Sequence, residues 1–284
     1  MNCLELKLFA NNIRRTLIQA LASKGGGHIG GTLSICDLIA VLYGDIMQYR
    51  PDEPEWLDRD YLVCSKGHAA PAIYSALALQ GFFPKDWLKD LNKGGAHLPG
   101  HSDRCKVPGI EATTGSLGQG LSIACGIAHG LKVQGRKQHV FCITGDGESD
   151  EGQIWEAAAY AANYGLDNLV MFLDWNKKQI DGWNDEVMQL GDLEEKYKVF
   201  GWNACTVNGQ NIEALQRKIH TAIENPNGKP TMFLLDTIKG AGIPCVEAIE
   251  SNHCIGVPEK LANQCFSELE EQRRQLVKEL EAGM

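Results

Sequence analysis

Residues 140–153 read VFCITGDGESDEGQ, and residues 169–176 read LVMFLDWN. Both segments start with a run of apolar and β-branched residues, which is typical of strands buried in a sheet. The Ala-rich segment 156–162 lies between them and predicts a helix. A strand, a helix and a parallel strand form a right-handed crossover, in which both strands end at the same edge of the sheet. The sequence therefore predicts an α/β fold built on parallel strands.

Polar side chains follow both strands. Asp146 lies between Gly145 and Gly147, and Asn176 comes directly after the second strand. Gly-Asp-Gly alone is a common turn, but a second polar residue at the neighbouring strand end favours a ligand site. The glycines allow close approach to the backbone, and the helix that follows directs free N–H groups toward an anion. One carboxylate and one amide oxygen, completed by phosphate oxygens and water, suit Mg²⁺. We expect a metal-bridged diphosphate here.

The rest of the chain continues the same pattern. Apolar runs at residues 61–64, 204–207 and 231–236 predict further strands, and the amphipathic or Ala-rich segments between them predict helices. No linker, internal repeat or low-complexity tract divides the chain. The expected architecture is a doubly wound, mostly parallel sheet with helices on both faces. We expect residues 1–284 to form a single domain.

Three histidines stand in settings that favour function. His28 lies among the five glycines of residues 25–31, where there is little side-chain packing for it to complete. His68 follows the strand at 61–64, at the edge where open α/β sheets bind ligands. His101 lies in the glycine-rich segment 94–120, and irregular segments of this length are usually functional or disordered. Three others are expected to face solvent: His129, His139 and His220.

Composition narrows the partners and the compartment. The formal net charge is −9, and no long Lys/Arg cluster occurs, which argues against nucleic acid or an anionic membrane as the main partner. No apolar run is long enough to span a membrane. The ten cysteines show no CxxC pair and no signal peptide precedes them, so we expect reduced thiols and a cytoplasmic protein.

Six short motifs in order carry a family resemblance. They are KGGGH at 24–28, SKGH at 65–68, PGH at 99–101, TTGSLGQG at 113–120, GDG at 145–147 followed by Asn176, and KGAG at 239–242. Together they resemble the amino-terminal domain of transketolases, which binds the diphosphate of thiamine diphosphate. The resemblance covers nearly the whole chain and implies the thiamine diphosphate-binding fold.

The resemblance also implies residue roles. Asp146, Asn176 and the backbone carbonyl of Lys178 would hold Mg²⁺, which Ca²⁺ or Mn²⁺ could replace. Four histidines would line the substrate channel and move protons: His28, His68, His101 and His253. The implied thiamine diphosphate contacts are Gly115, Ser116, Leu117, Gly145, Asp146, Gly147, Glu148, Glu151, Asn176, Ile180 and Lys239. In the family, Glu151 links two halves of the site across a subunit contact.

Some positions depart from the family pattern. Ile29 and Ser116 replace prolines, and the residues around His253 lack the usual second histidine or glycine. The chain also stops where the family continues into a pyrimidine-binding and a carboxy-terminal domain, which carry the activating glutamate and the basic residues that bind sugar phosphates. The resemblance thus implies the amino-terminal subunit of a split transketolase. We expect it to be inactive alone and to form an α2β2 assembly with a carboxy-terminal subunit, moving a two-carbon ketol unit from a ketose phosphate to an aldose phosphate, as in the pentose phosphate pathway.

Three other interpretations stay open. The chain could be a subunit of another thiamine diphosphate enzyme, of the deoxyxylulose phosphate synthase or 2-oxo acid dehydrogenase type. It could instead be a non-catalytic regulatory subunit that kept the fold, although the retained Asp146, Asn176 and histidines argue against this. A magnesium phosphohydrolase is a poor match, because the acidic residues 148–151 have no accompanying nucleophile.

Overall fold

The computed structural model describes residues 1–282, and a five-stranded sheet forms its centre. The strands lie in the order β2 (Tyr61–Cys64), β3 (Val140–Gly145), β4 (Leu169–Trp175), β6 (Thr231–Asp236) and β5 (Asn203–Asn208). All four pairings are parallel. The predicted α/β fold with a doubly wound sheet is therefore confirmed.

Helices cover both faces of this sheet. On one face, Phe141 and Phe172 point into a cluster with α1 (Cys3–Lys24) and α3 (Cys36–Val41). Cys142 and Met171 point to the opposite face and pack with α5 (Gln119–Val133) and α6 (Gly152–Asn163). This alternation explains why β3 and β4 are apolar along most of their length, since both faces are buried. The helices are α1 (Cys3–Lys24), α2 (Gly30–Leu33), α3 (Cys36–Val41), α4 (Ala70–Gln80), α5 (Gln119–Val133), α6 (Gly152–Asn163), α7 (Asn184–Val187), α8 (Leu193–Val199), α9 (Ile212–Glu224), α10 (Pro244–Glu247) and α11 (Glu259–Ala282).

The glycine-rich segment after α1 forms a strand that the sequence did not predict. β1 (Gly26–His28) pairs antiparallel with β7 (Cys254–Gly256), so that His28 lies opposite Cys254. A Cβ at Gly26 would lie 2.3 Å from the carbonyl oxygen of Ile255, so this close pairing requires glycine. The ribbon brings the distant residue His253 beside His28.

Residues 34–43 have the apolar pattern of one helix, with Ile35, Leu38, Ile39 and Leu42 on one side, but they do not form a single continuous helix. The structure has α2, then α3, then one π-helical turn at Leu42–Ile46. Ile35 leaves helical geometry with φ −104° and ψ 3°, and the preceding Ser34 directs its hydroxyl to Asp174 on β4. A hydrogen bond to the sheet thus competes with continued helix. None of the helices within residues 1–282 has the length and apolar character needed to cross a bilayer.

Candidate active site

Asp146 and Asn176 meet at the carboxyl edge of the sheet. Because Gly145 pairs with Asp174 in the β3–β4 register, the residues just beyond these two positions become neighbours. Asp146 Oδ2 accepts hydrogen bonds from the backbone N–H of Lys177 (2.7 Å) and from Asn184 Nδ2 (3.0 Å). Both Asp146 and Asn176 are buried. Burial first, and then the nearby Asp174, raise the pKa of the Asp146 carboxyl to about 6.

A buried ion pair lies directly beneath these two residues. Lys66 Nζ donates to Asp174 Oδ2 at 2.6 Å, and both side chains are almost fully shielded from solvent. Asp174 also accepts from Asn176 Nδ2 (2.9 Å), Ser34 Oγ (2.7 Å) and Thr237 Oγ1 (2.5 Å). Burial opposes charge on Asp174, but Lys66 and the hydrogen-bond donors outweigh it and lower the pKa of this carboxyl. Asp174 therefore remains an anion that orients the groups around it.

The backbone carbonyl of Lys178 is in contact with the positively charged side chain of Lys239. Lys239 Nζ donates to this carbonyl at 2.6 Å and to the carbonyl of Gln179 at 3.3 Å. The ammonium group stands where a metal ion would use the same oxygen, so the donor set suits a cation. Burial is the main factor that lowers the pKa of Lys239 to about 8.

These oxygens fit a divalent metal that also binds phosphate. Asp146, Asn176 and the Lys178 carbonyl offer oxygen ligands, which is the preference of Mg²⁺. Within residues 1–282 no group of three or more His, Cys, Asp or Glu side chains is arranged to hold a metal. A metal at Asp146 would thus depend on further oxygens from the diphosphate.

Glu148 holds the Gly115–Gly118 turn against the carboxyl edge of the sheet by hydrogen bonds. It is buried, and its carboxylate accepts from the backbone N–H of Gly118 (2.8 Å), from that of Gly145 (3.0 Å) and from Ser65 Oγ. Burial raises the pKa of this carboxyl. Glu148 thereby ties the Gly115–Gly118 turn to the end of β3, and its contacts are those of a structural group.

Four imidazole rings cluster on the other side of the cavity. The ring of His28 lies 5.3 Å from that of His68, 5.7 Å from that of His101 and 5.3 Å from that of His253, measured between centroids. Burial and the nearby Lys66 lower the pKa of His68 to about 2, while burial and Lys239 lower that of His253 to about 4. At neutral pH, His68 and His253 are therefore uncharged and can either donate or accept a proton.

One cavity of about 320 Å³ brings most of the predicted residues together. The predicted site residues that line it are His28, His68, His101, His253, Gly115, Leu117, Gly145, Asp146, Gly147, Glu148, Asn176, Lys178, Ile180 and Lys239. Ser116 and Glu151 are exposed and lie outside its lining. Ile180 is 72% exposed, an apolar side chain open to contact by a ligand.

Sequence reasoning missed four lining residues: Gly31, Lys66, Gln179 and Asp181. Lys66 lies inside the SKGH motif at 65–68, but no role was predicted for it. A lysine at a strand end usually reaches solvent, and only the distant Asp174 allows Lys66 to be buried. The three histidines expected to face solvent, His129, His139 and His220, are half-buried and do not line the cavity. His220 Nε2 lies 2.7 Å from Asp45 Oδ2.

Comparison with known proteins now identifies the family. Residues 6–265 match the family model described as transketolase, thiamine diphosphate binding domain. The chain belongs to the transketolase family. Among its relatives, a 6-deoxy-6-sulfo-D-fructose transketolase subunit of Clostridium sp. (strain MSTE9) is 43% identical over 269 residues, which cover 95% of this chain and 98% of that protein. An apulose-4-phosphate transketolase subunit of Phocaeicola vulgatus is 38% identical over 253 residues, which cover 89% of this chain and 89% of that protein.

Solved transketolases share the fold. The transketolase of Campylobacter jejuni superposes with a TM-score of 0.88 at 27% identity, over 95% of this chain and 43% of that chain. The transketolase-family chain described here thus spans less than half of the solved protein. The predicted family and the predicted thiamine diphosphate-binding fold are both confirmed.

Proposed function

We propose that this chain is the amino-terminal subunit of a split transketolase. With a separate carboxy-terminal subunit, it would transfer a two-carbon ketol unit from a ketose to an aldose. The observation that carries the proposal is one cavity that has Asp146, Asn176 and the Lys178 carbonyl on one side and four histidines on the other. Relatives that match this chain along most of their own length are named as subunits, which supports a partner.

The oxygen-lined side would hold the cofactor. Asp146, Asn176 and the Lys178 carbonyl would bind Mg²⁺, and Gly147 would lie against the diphosphate. The Gln179 side chain packs against the backbone of Gly147, since a Cβ there would lie 2.9 Å from Gln179 Cγ. Ile180 and Leu117 would contact the rings. When bound, thiamine diphosphate supplies the carbon nucleophile for this chemistry.

The histidine side would handle the protons of the sugar. Cleaving and forming a bond next to a carbonyl requires proton transfer at hydroxyl and carbonyl oxygens. His68 and His253 are neutral at pH 7, and all four rings face the same space, so they can donate to one oxygen while accepting from another. Because the other three centroids are only 5.3–5.7 Å from that of His28, the rings form one wall that a polyhydroxylated chain would lie against.

The substrates would be ketoses and aldoses that carry an anionic group. Two relatives are named for a sulfonated ketose and for a phosphorylated ketose.

We also propose an α2β2 assembly in which Glu151 contacts the partner. We further propose a cytoplasmic location, which ten free cysteines favour. Residues 1–284 would form one domain, since both hydrophobic clusters pack on the same sheet.

Reconstitution tests the proposal. The purified chain with thiamine diphosphate and Mg²⁺ should show no ketol transfer until the carboxy-terminal subunit, taken from the adjacent reading frame or by co-purification, is added. Asp146→Ala should abolish transfer by the assembled pair, whereas Asp185→Ala, which removes an exposed carboxylate on α7, should leave it unchanged.

Full activity of the single chain would rule out the split enzyme. Full activity of the Asp146→Ala pair would indicate a regulatory subunit, and cleavage of pyruvate in place of ketoses would indicate another thiamine diphosphate enzyme.

A further inference from the structure

Residues 177–184 form a short hairpin beside the proposed metal site. Lys178 and Trp183 make an antiparallel bridge across it. The backbone N–H of Asn184 donates to the carbonyl of Lys177 at 3.0 Å and closes the open end of the hairpin. The Lys178 carbonyl, which would bind Mg²⁺, therefore belongs to a turn whose geometry depends on Asn184.

Asn184 also bonds the proposed metal ligand Asp146 through its side chain. Asn184 is only 2% exposed, and its Nδ2 donates to Asp146 Oδ2 at 3.0 Å. An ionised carboxylate can only accept, so the amide nitrogen must be the end that faces Asp146. Asn184 Oδ1 has no hydrogen-bond partner among the described residues. Burying an amide with one end unpaired costs free energy, so the bond to Asp146 is the contact that accounts for its position.

This bond gives the two oxygens of Asp146 different surroundings. Oδ2 accepts from Asn184 and from the backbone N–H of Lys177 (2.7 Å), which uses both of its lone pairs. Oδ1 accepts from the backbone N–H of Gly147 at 2.9 Å and keeps its second lone pair. Oδ1 is therefore the oxygen that remains for a cation.

Lys177 shows why the hairpin needs an anchor. Its φ of 72° lies in the left-handed region, which a residue with a side chain rarely adopts. Its N–H bonds Asp146, its carbonyl accepts from Asn184, and its ammonium bonds Asp236. The first two contacts and the Asn184 side chain form a closed ring that begins and ends at Asp146 Oδ2. Loss of the Asn184 side chain would open this ring, and the strain at Lys177 would then favour release of the hairpin.

We propose that Asn184 is a positioning residue for the metal side of the active site. Its side chain turns the free oxygen of Asp146 toward the cavity, and its backbone holds the hairpin so that the Lys178 carbonyl reaches the same ion. Asn184 is not among the described residues that line the cavity, so it acts through these two ligands. The inference rests on the proposed function, since it concerns the metal that Asp146 would hold, and extends it to a residue outside every recognised motif.

Mn²⁺ affinity tests the effect on the metal ligands. The full chain is titrated with Mn²⁺ in the presence of thiamine diphosphate, and electron paramagnetic resonance measures free Mn²⁺ against a protein-free solution of the same composition. Asn184→Ala should bind Mn²⁺ roughly 10- to 100-fold more weakly than the wild-type chain, the usual effect of removing a group that orients a metal ligand.

Two further variants serve as controls for Asn184→Ala. Asn184→Leu fills a similar space without an N–H donor and should bind Mn²⁺ as weakly, so a packing defect would not explain the loss. Gln189→Ala removes an exposed amide of the same segment, which donates to the carbonyl of Asp185. Its Mn²⁺ affinity should equal that of the wild-type chain.

Trypsin cleavage of the full chain, without metal or cofactor, tests the hairpin. Cleavage after Lys177 or Lys178, identified by mass spectrometry, should be roughly 10-fold faster in Asn184→Ala, because one hydrogen bond to a charged group no longer opposes opening. Asp146→Ala should be cleaved at least as fast. The double variant Asp146→Ala/Asn184→Ala should be cleaved no faster than Asp146→Ala, since both changes remove the same bond.

The outcomes separate this inference from the proposed function. Wild-type Mn²⁺ affinity in Asn184→Ala, or a double variant whose cleavage increases by the product of the two single effects, overturns the positioning role. Wild-type Mn²⁺ affinity in Asp146→Ala also overturns it, because the metal then binds elsewhere. If the wild-type pair shows no ketol transfer while Asn184→Ala still weakens Mn²⁺ binding, the proposed function fails and the positioning role stands.

Discussion

Asn176 donates through Nδ2 to Asp174 Oδ2 at 2.9 Å, and this bond decides which end of the amide faces the cavity. Asn176 Oδ1 receives only a 3.3 Å bond from the backbone N–H of Lys178. The oxygen is therefore available to a cation, while the nitrogen is held against the buried carboxylate. Asp174 does not line the cavity and acts as a positioning residue for Asn176.

The Lys66–Asp174 pair gives a first prediction, on stability. Asp174→Asn removes the negative charge and leaves a buried ammonium unpaired, which should lower the free energy of unfolding by about 3–5 kcal/mol. The double variant Lys66→Met/Asp174→Asn removes that ammonium and should recover at least half of the loss. Urea unfolding at pH 7 measures both. A double variant no more stable than Asp174→Asn would mean that the lost hydrogen bonds, and not the unpaired charge, cause the effect.

Lys239 gives a prediction on metal binding. Its ammonium bonds the Lys178 carbonyl and thus competes with a cation for that oxygen. Lys239→Met should bind Mn²⁺ roughly 5- to 10-fold more tightly when no diphosphate is present, because a nearby positive charge is removed. The same variant should bind thiamine diphosphate more weakly. Electron paramagnetic resonance of free Mn²⁺ measures the first effect.

Lys178→Met is the matched control for this prediction. Its ammonium donates to the carbonyl of Glu250 and not to the Lys178 carbonyl, and the substitution keeps that backbone carbonyl. Its Mn²⁺ affinity should stay near the wild-type value. Equal Mn²⁺ affinities of Lys239→Met and the wild-type chain would show that the ammonium does not occupy the metal position.

The parts of the site that the sequence predicted depend on local rules. Asp146 and Asn176 each follow a strongly apolar strand, and parallel crossovers place such strand ends at one edge. The meeting of His28 with His253 has no such signal, because it depends on pairing between two three-residue strands that are far apart in sequence. Glycines carry no hydrophobic pattern, so neither strand could be recognised before the partner was known.

The buried ion pair of Lys66 and Asp174 is the second feature that could not be predicted from the sequence. Lys66 and Asp174 are separated by more than a hundred positions, and each alone is typical of a solvent-facing residue. Their burial depends on each other and on the hydroxyls of Ser34 and Thr237. A single-sequence pattern carries no information on such a pairing, so Lys66 was missed although its motif was recognised.

His68 gives a prediction on acid stability. Its pKa is about 2 in the folded chain, against an ordinary value near 6.5 in the unfolded chain. Between these values the unfolded state binds a proton that the folded state does not, so lowering the pH favours unfolding. One such histidine costs about 1.4 kcal/mol per pH unit once the pH is below about 5.5.

Urea unfolding between pH 7 and pH 4 tests this effect. In His68→Gln, unfolding should take up about one proton fewer than in the wild-type chain, so stability should fall less steeply as the pH is lowered. His253 keeps its own contribution to the slope. A His68→Gln chain with an unchanged slope would show that the folded state protonates His68 readily.

Gly67 gives a prediction on the loop that faces the cofactor. A Cβ at this position would lie 2.7 Å from the carbonyl of Thr114 and from the backbone nitrogen of Gly115, and backbone atoms cannot move aside as a flexible side chain can. Gly67→Ala should therefore displace the turn at 113–117, weaken thiamine diphosphate binding at least tenfold and lower the free energy of unfolding by about 1–3 kcal/mol.

Gly126→Ala on α5 is the control for Gly67→Ala, since its Cβ would meet no atom within 4 Å. It should stabilise the isolated chain by up to about 1 kcal/mol through helix propensity and leave cofactor binding unchanged. Calorimetric titration of thiamine diphosphate in Mg²⁺ compares the two variants, and wild-type affinity in Gly67→Ala would show that the turn adjusts without affecting the site.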